Sequence, residues 1–173
     1  MKKPKPLGSY SSRELTVAIL SLIAVGTLIV TLAAAPGLGM AIRMFAPRGG
    51  KERTKLRKKI HDLTRSEYLE ERDGRYVISE KGQRLLTEEE VWNLEPPKMK
   101  RWDGKWHMVL FDIPGKKERA RQALRARLVD LEYKPYQNSV FIHKQNLRPL
   151  IEKFAAFYGI RGNIRFVTAT SIL

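Results

Sequence analysis

Trp106-His-Met-Val-Leu-Phe-Asp112-Ile-Pro114 is the stretch that decides the fold of the C-terminal part of the chain. Its apolar run from Met108 to Phe111 predicts a buried β-strand, and Pro114-Gly115 predicts the turn that ends it. Residues 116–131 then have helical spacing. Their apolar side chains fall on one face while the arginines lie mostly elsewhere, the apolar set being Ala120, Ala123, Leu124, Leu128 and Leu131.

The remaining elements complete an alternating order of strands and helices. Two short strands are predicted at 134–137 and 139–143, within and after Tyr136-Gln-Asn-Ser-Val-Phe141. Asn146 is predicted to cap a helix over 147–158 that Gly159 ends, and residues 163–168 alternate as a last strand. The resulting order, βαββαβ, is that of the ferredoxin-like fold.

A basic helix is predicted over residues 51–66, which follow Gly49-Gly50. Leu56, Ile60 and Leu63 fall at i, i+4 and i+7 and form an apolar seam. The remaining face carries candidate DNA-binding residues, because a basic helix face can neutralise phosphates and enter a major groove. These candidates are Arg53, Thr54, Lys55, Arg57, Lys58 and His61.

A β-hairpin is predicted directly after this helix. Asp73-Gly74 is among the strongest short-range signals for a two-residue turn, and it joins predicted strands at 68–72 and 75–78. Arg72 and Arg75 sit next to the turn and are further DNA-binding candidates. Ser79 begins another predicted helix. A recognition helix followed by such a hairpin is typical of a winged helix-turn-helix domain.

The C-terminal motifs resemble two related groups of proteins. A strand ending in Phe111-Asp-Ile-Pro114, a basic helix and then Gln137-Asn-Ser-Val-Phe141 are similar to the small ferredoxin-like endonuclease subunit of the CRISPR spacer-acquisition machinery. The chain resembles PaaX-type transcriptional regulators even more, because Trp102-Asp-Gly-Lys-Trp106 and an upstream winged-helix pattern belong to that group. The resemblance implies DNA-binding regulation and a ferredoxin-like domain that dimerises.

The composition favours a polyanionic partner. A formal net charge of +15 and a pI near 10.2 suit either nucleic acid or an anionic membrane surface. The chain has no cysteine, which excludes disulfides and zinc ribbons and fits a reducing cytoplasm. Its three histidines show no metal-ligand spacing. A second basic surface is predicted on the 116–131 helix as an alternative DNA contact, formed by Arg119, Arg121, Arg125 and Arg127.

An uncharged segment from Thr16 to Ile42 permits a membrane alternative. Residues 17–35 are long enough to span a hydrocarbon core of about 30 Å. Gly26 and the Pro36-Gly37 break argue against a span, and basic residues flank the segment on both sides, so no orientation follows. We expect the segment to be buried instead against the seam of the 51–66 helix, which otherwise has no apolar cover.

Asp112 is the one residue with a sharp catalytic interpretation. The resemblance implies that it occupies the position whose carboxylate, paired across a dimer axis, holds a divalent ion for phosphodiester cleavage. A single carboxylate is a poor Mg²⁺ site, whereas two copies in a dimer would suffice. We favour a structural role in which Asp112 ends the strand and accepts amides of residues 113–116. Catalysis and metal binding at Asp112 remain the alternative.

The sequence thus predicts an α+β protein with an N-terminal winged helix-turn-helix domain at 1–94, a linker at 95–104 and a ferredoxin-like βαββαβ dimerisation domain at 105–173. The predicted function is a cytoplasmic PaaX-type DNA-binding regulator, a repressor, that binds double-stranded DNA as a homodimer without a cofactor. An Mg²⁺-dependent endonuclease, resembling the CRISPR-acquisition subunit, is the first alternative. A membrane-anchored adaptor is the second, and the sheet edge is a candidate site for a protein partner.

Overall fold

The computed structural model describes residues 10–24, 50–98 and 101–172. The chain separates into two compact units, 1–89 and 90–173. The described residues form both helices and sheets, so the fold class is α+β. The boundary between the units falls within a helix, ahead of the linker predicted at 95–104.

The first unit is built around a helix pair and a β-hairpin. Its described elements are α1 (Ser12–Ala24), α2 (Gly50–Arg65), β1 (Leu69–Arg72), β2 (Arg75–Ile78) and α3 (Glu80–Trp92), whose last residues belong to the second unit. The predicted basic helix and hairpin are present within one residue of their predicted bounds. Residues 25–49 lie outside the described part, so the complete winged-helix arrangement stays a prediction.

The core of the first unit joins α1 to α2. Leu15, Ile19 and Leu20 of α1 are buried in one apolar cluster with the α2 seam of Leu56, Ile60 and Leu63. The described part of the uncharged segment therefore covers the seam as predicted, while residues 25–42 lie outside the described part. Among the described residues, no helix combines the length and the apolar character that crossing a membrane requires.

Local hydrogen bonds fix where these elements begin and end. Ser11 and Glu14 form a reciprocal capping box at the start of α1, with each backbone N–H donating to the other's side chain. Asp73 and Gly74 both have positive φ, at 51° and 68°, as a type I′ hairpin turn requires. Ser79 accepts the N–H of Gly82 at 3.0 Å and caps α3, within one residue of the predicted start of this helix.

The second unit has the ferredoxin-like order. Its elements are β3 (Trp106–Phe111), a 3₁₀ turn at Gly115–Lys117, α4 (Glu118–Asp130), β4 (Lys134–Gln137), β5 (Val140–His143), α5 (Arg148–Phe157), a 3₁₀ turn at Arg161–Asn163 and β6 (Ile164–Ala169). The antiparallel sheet has the strand order β4-β5-β3-β6. The sequence prediction of βαββαβ is confirmed.

The two faces of this sheet differ in cover. Val109, Phe111 and Phe141 point to one side and are buried with residues of α4 and α5, including Leu124, Leu128, Ile151 and Phe154. The strand register places Met108 beside Ile142 and Val167, and Leu110 beside Val140 and Arg165, on the other side. On this side, which we call the open face, Met108, Leu110 and Val140 are half-buried and Val167 is exposed, whereas Ile142 is buried.

The last turn of α3 and the chain after it are bound to this second core. Trp92 packs edge-on against Phe154 at 5.2 Å, and its indole N–H donates to the Tyr158 hydroxyl at 2.9 Å. Arg127 donates to the Leu94 carbonyl, and Gln145 donates to the Pro97 carbonyl at 2.6 Å. These bonds fix part of the chain around the predicted linker to the ferredoxin-like core.

One prediction about helix capping was wrong. Leu147, not Asn146, is the N-cap of α5, and its side chain makes no capping hydrogen bond. Asn146 still contributes, because its side-chain oxygen accepts the N–H of Arg148 at 3.1 Å. The difference is one residue, and it arises because the apolar Leu147 side chain is buried in the core and fixes where the helix turns begin.

Candidate nucleic-acid interface

The basic face of α2 lies opposite its buried seam. Leu56, Ile60 and Leu63 are only 4%, 6% and 3% exposed, whereas the predicted contact residues with described side chains are all exposed: Thr54, Lys55, Arg57, Lys58 and His61. The side chain of Arg53 lies outside the described part. A continuous row of cations on one side of a helix is the arrangement that a DNA backbone and groove can accept.

Two residues of α2 are held by neighbours rather than projecting free. The Lys59 ammonium donates to the Ser12 hydroxyl at 3.0 Å, which connects α2 to the start of α1. Thr54 donates to the Gly50 carbonyl at 3.0 Å, a bond within the helix that leaves its oxygen able to accept from a ligand. Among the described side chains of α2, the cations without an ion pair or side-chain hydrogen bond are Lys51, Lys55, Arg57, Lys58 and, in the last turn, Arg65.

The hairpin places its two arginines side by side at its tip. Arg72 and Arg75 pair across the strands next to the turn, and both are exposed. Arg72 is bound to the Glu70 carboxylate at 2.6 Å, so Arg75 is the more available cation. Burial raises the pKa of the neighbouring Tyr76, and the Glu71 carboxylate raises it further. Tyr76 therefore stays neutral and adds no negative charge to the hairpin.

The predicted second basic surface is largely engaged within the protein. Arg119 is exposed, but Arg121 pairs with Glu118. Arg125 donates to the backbone and side-chain oxygens of Asn138 at 3.0 and 3.1 Å, which fixes the turn between β4 and β5. Asn138 of the Gln-Asn-Ser motif thus has a structural partner.

Arg127 does not belong to that surface. It is 4% exposed, because its guanidinium is enclosed by the partners that satisfy it, the Asp130 carboxylate and the Leu94 carbonyl. Helical spacing predicted that Arg127 lies on the exposed polar face of α4. In the structure, the chain that follows α3 covers its side chain. A buried arginine with hydrogen-bonded partners serves the fold rather than a ligand.

Asp112 lies at the end of β3 in a shallow cleft. Its backbone is fixed by Asn163, which accepts the Asp112 N–H at 2.9 Å and donates its side-chain amide to the Asp112 carbonyl at 2.8 Å. The exposed carboxylate accepts no amide of residues 113–116 within the described part, so that predicted role was wrong. The partner strand segment, not the following turn, fixes the end of β3.

The residues of this cleft do not suit Mg²⁺ within one protomer. Asp112 shares the cleft with Ser139, Asn163 and the cationic Arg165. Mg²⁺ prefers oxygen ligands and usually one or two carboxylates, and a guanidinium beside a single carboxylate opposes a divalent cation. Within the described residues, no group of three histidines, cysteines or acids gathers anywhere for a metal ion.

Two features of the second unit were missed from the sequence. Trp102 packs on Trp106 with ring centroids 5.3 Å apart, and the Lys144 ammonium lies 4.9 Å from the Trp102 ring. Three arginines, Arg148, Arg161 and Arg165, line another cleft. The Lys144 contact and the gathering of the three arginines have no local sequence signal, because Lys144 is far from Trp102 in the chain and Arg148 is far from Arg165.

The order of elements, the antiparallel sheet and the helix cover define a ferredoxin-like domain. Residues 99–173 match the family model of the PaaX protein central Cas2-like domain. The match covers nearly all of the second unit and supports the resemblance to PaaX-type regulators there. No curated protein matches the chain.

Proposed function

We propose that the protein is a PaaX-type DNA-binding transcriptional regulator, acting as a repressor. In this proposal an N-terminal winged helix binds duplex DNA through α2, and the ferredoxin-like unit joins two copies. The observation that carries the proposal is the division of α2 into a buried seam and an exposed basic face. The matched family model supports the regulator class for the second unit.

The electrostatics favour a phosphate backbone as the partner of α2. Lys51, Lys55, Arg57 and Lys58 lie within eight residues, opposed in that stretch by Glu52 alone. Each phosphate that such cations neutralise releases condensed counterions, so affinity falls steeply as salt concentration rises. The hairpin supplies Arg75 at its exposed tip. The helix would therefore read base edges while the hairpin contacts backbone beside it.

A charge-reversal pair tests the recognition helix. Lys55→Glu with Lys58→Glu changes two exposed side chains and leaves the seam intact, so the fold should persist while DNA affinity falls at least tenfold, roughly the loss of two phosphate contacts. Affinity is measured by fluorescence anisotropy with duplex DNA at about 50 and 200 mM salt. The wild-type protein should show the steeper salt dependence.

A matched pair on the second unit provides the control. Arg119→Glu with Lys153→Glu makes the same change in charge at exposed positions of α4 and α5. This variant should bind DNA nearly as well as the wild type. A larger loss in the control than in the α2 variant would place the DNA surface on the second unit and contradict the proposal.

The open face of the ferredoxin-like sheet is the proposed dimer contact. Met108, Leu110 and Val140 are half-buried there, and Val167 is 45% exposed. An apolar face of this kind can pair with its own copy about a two-fold axis, since the same residues then meet from both sides. Such pairing would remove from water the apolar side chains that the single chain leaves accessible.

A nuclease is the second candidate function. The observation that favours it is the exposed Asp112 carboxylate in the cleft at the end of β3, at the position that the resemblance assigns to phosphodiester cleavage. One protomer lacks the ligands for Mg²⁺, so cleavage would require a second Asp112 from another copy. This requirement makes the nuclease the less supported of the two functions.

A further inference from the structure

The second unit carries positive charge that DNA binding by α2 does not use. Residues 90–173 contain 16 of the 33 basic residues and 8 of the 18 acidic ones. Several of these cations are spread over α4, where Glu118, Asp130 and Asn138 engage them. Three arginines instead converge on a cleft of about 340 Å³ between α5, the Arg161–Asn163 turn and β6.

Two of the three guanidiniums are positioned by the protein itself. Arg165 donates from Nη1 to the carbonyls of Gly162 and Ile164, each at 3.0 Å. Arg148 donates from Nε to Glu152 at 2.7 Å, and its guanidinium carbon lies 5.1 Å from the centre of the Phe166 ring. These hydrogen bonds use only some of the N–H groups of each guanidinium, so the others can still donate to a ligand. Little rotamer entropy would therefore be lost on binding.

The charge in the cleft is unbalanced. Glu152 is the single carboxylate among the described residues that line it, against three guanidiniums, and Arg161 is exposed without an ion pair in the described part of the chain. Planar guanidinium forks match phosphate oxygens in a bidentate manner. The volume lies at the lower end of the range for small-molecule sites.

We propose that the cleft formed by Arg148, Arg161 and Arg165 binds a phosphate-bearing small anion. A concave site lined by three guanidiniums suits a compact ligand that carries two or more negative charges. A DNA backbone would instead need cations spread along its length. The proposal is independent of DNA binding by α2, because the cleft lies wholly within the second unit.

Isothermal titration calorimetry of the full chain with sodium pyrophosphate tests this site, at fixed ionic strength and with EDTA present. We expect saturable binding that Arg161→Gln weakens about tenfold, the size of effect that losing a charge-assisted hydrogen bond produces. Arg161 is exposed, so this variant should fold normally. Arg165→Gln should weaken binding as well, and thermal unfolding shows whether it also disturbs the turn that Arg165 fixes.

Two controls make the outcome decisive. Arg119→Gln removes one exposed guanidinium outside the cleft and should leave pyrophosphate binding unchanged. Citrate, a carboxylate anion of similar charge, should bind far more weakly. Equal binding of citrate, or equal loss in Arg119→Gln, would show a diffuse charge effect and overturn the site. Loss of DNA affinity in Arg161→Gln with unchanged pyrophosphate binding would assign the cleft to DNA and overturn it too.

Discussion

Gly82 lets α3 pack against the hairpin more closely than a side chain would permit. A Cβ at this position would lie 2.3 Å from the Tyr68 carbonyl oxygen and 2.9 Å from Ile78 Cγ2. The carbonyl is backbone and has little room to move. Gly82→Ala should therefore destabilise the first unit by about 1–3 kcal/mol through overpacking. Hydrogen exchange of the α3 and hairpin amides measures this loss.

Gly50→Ala is the matched control for this prediction. Gly50 is also helical and lies in the same unit, but no atom of the described residues is within 4 Å of its added Cβ. Alanine has the higher helix propensity, so this variant should be neutral or slightly stabilising. Equal protection of these amides in both variants would contradict the prediction. It would mean that α3 and the hairpin can move apart enough to accept a Cβ at position 82.

Of the helix ends after α2, α4 and α5, only the last carries a glycine that signals it in the sequence. The N–H groups after α2, α4 and α5 all bond back to carbonyls of the last turn, and the residue that allows this has positive φ each time. At α5 that residue is Gly159, a recognisable signal. At the other two ends it is Glu67 and Glu132, which the sequence does not distinguish from ordinary polar residues.

Asp112 distinguishes the two candidate functions, because only the nuclease needs the negative charge of its side chain. Asp112→Asn keeps the shape of the side chain and removes the charge that a metal ion needs. We expect this variant to dimerise and bind DNA like the wild type, since Asn163 holds position 112 through backbone groups. Nuclease assays with Mg²⁺ and Mn²⁺ should show no cleavage by either protein. Cleavage that disappears in the Asn variant would replace the regulator with the nuclease.

At the scale of elements, a substitution in α1 tests whether the uncharged segment is buried against α2 or in lipid. Leu20 is fully buried in the cluster that α1 shares with α2. Leu20→Asp would place an unpaired charge there at a cost of several kcal/mol, so the first unit should lose its protected amides while the second keeps them. Ala24→Asp makes a similar change at the exposed end of the same helix and should have a small effect.

A membrane role for the segment would give the opposite pattern. Native protein would then sediment with membranes after a high-salt wash, and Leu20→Asp would release it without changing hydrogen exchange in α2 or the hairpin. The two experiments together distinguish burial against α2 from burial in lipid. They also report on residues 25–42 indirectly, because the same segment would have to enter the bilayer with α1.

Most of the elements were predictable because their signals are local. A period of 3.6 residues identified α2 and α4, the flanking Asn146 and Gly159 identified α5, and Asp73-Gly74 identified the hairpin. The burial of Arg127 was not predictable, because its cover comes from Leu94, 33 residues away along the chain. The arginine cleft was not predictable for the same reason, since Arg148 and Arg165 become neighbours only when α5 packs beside β6.

At the scale of the whole molecule, the open sheet face predicts how two copies meet. Val167→Glu places a charge on this face at a position already 45% exposed, so the single chain should fold while the dimer dissociates. Val129→Glu makes the same substitution on α4, at 63% exposure and away from the face, and should leave the dimer intact. Sedimentation equilibrium of the three proteins measures the association directly.

The arrangement of the preferred DNA sites should show the same two-fold symmetry as the dimer. A symmetric dimer carries two copies of α2, so its preferred sites should be pseudo-palindromes with half-sites separated by about 10 base pairs or a multiple. Selection from random duplexes by the wild type should recover such pairs. Val167→Glu should recover single half-sites with weaker binding, because each site then engages one helix. Paired half-sites recovered equally by Val167→Glu would mean that the copies associate through another surface.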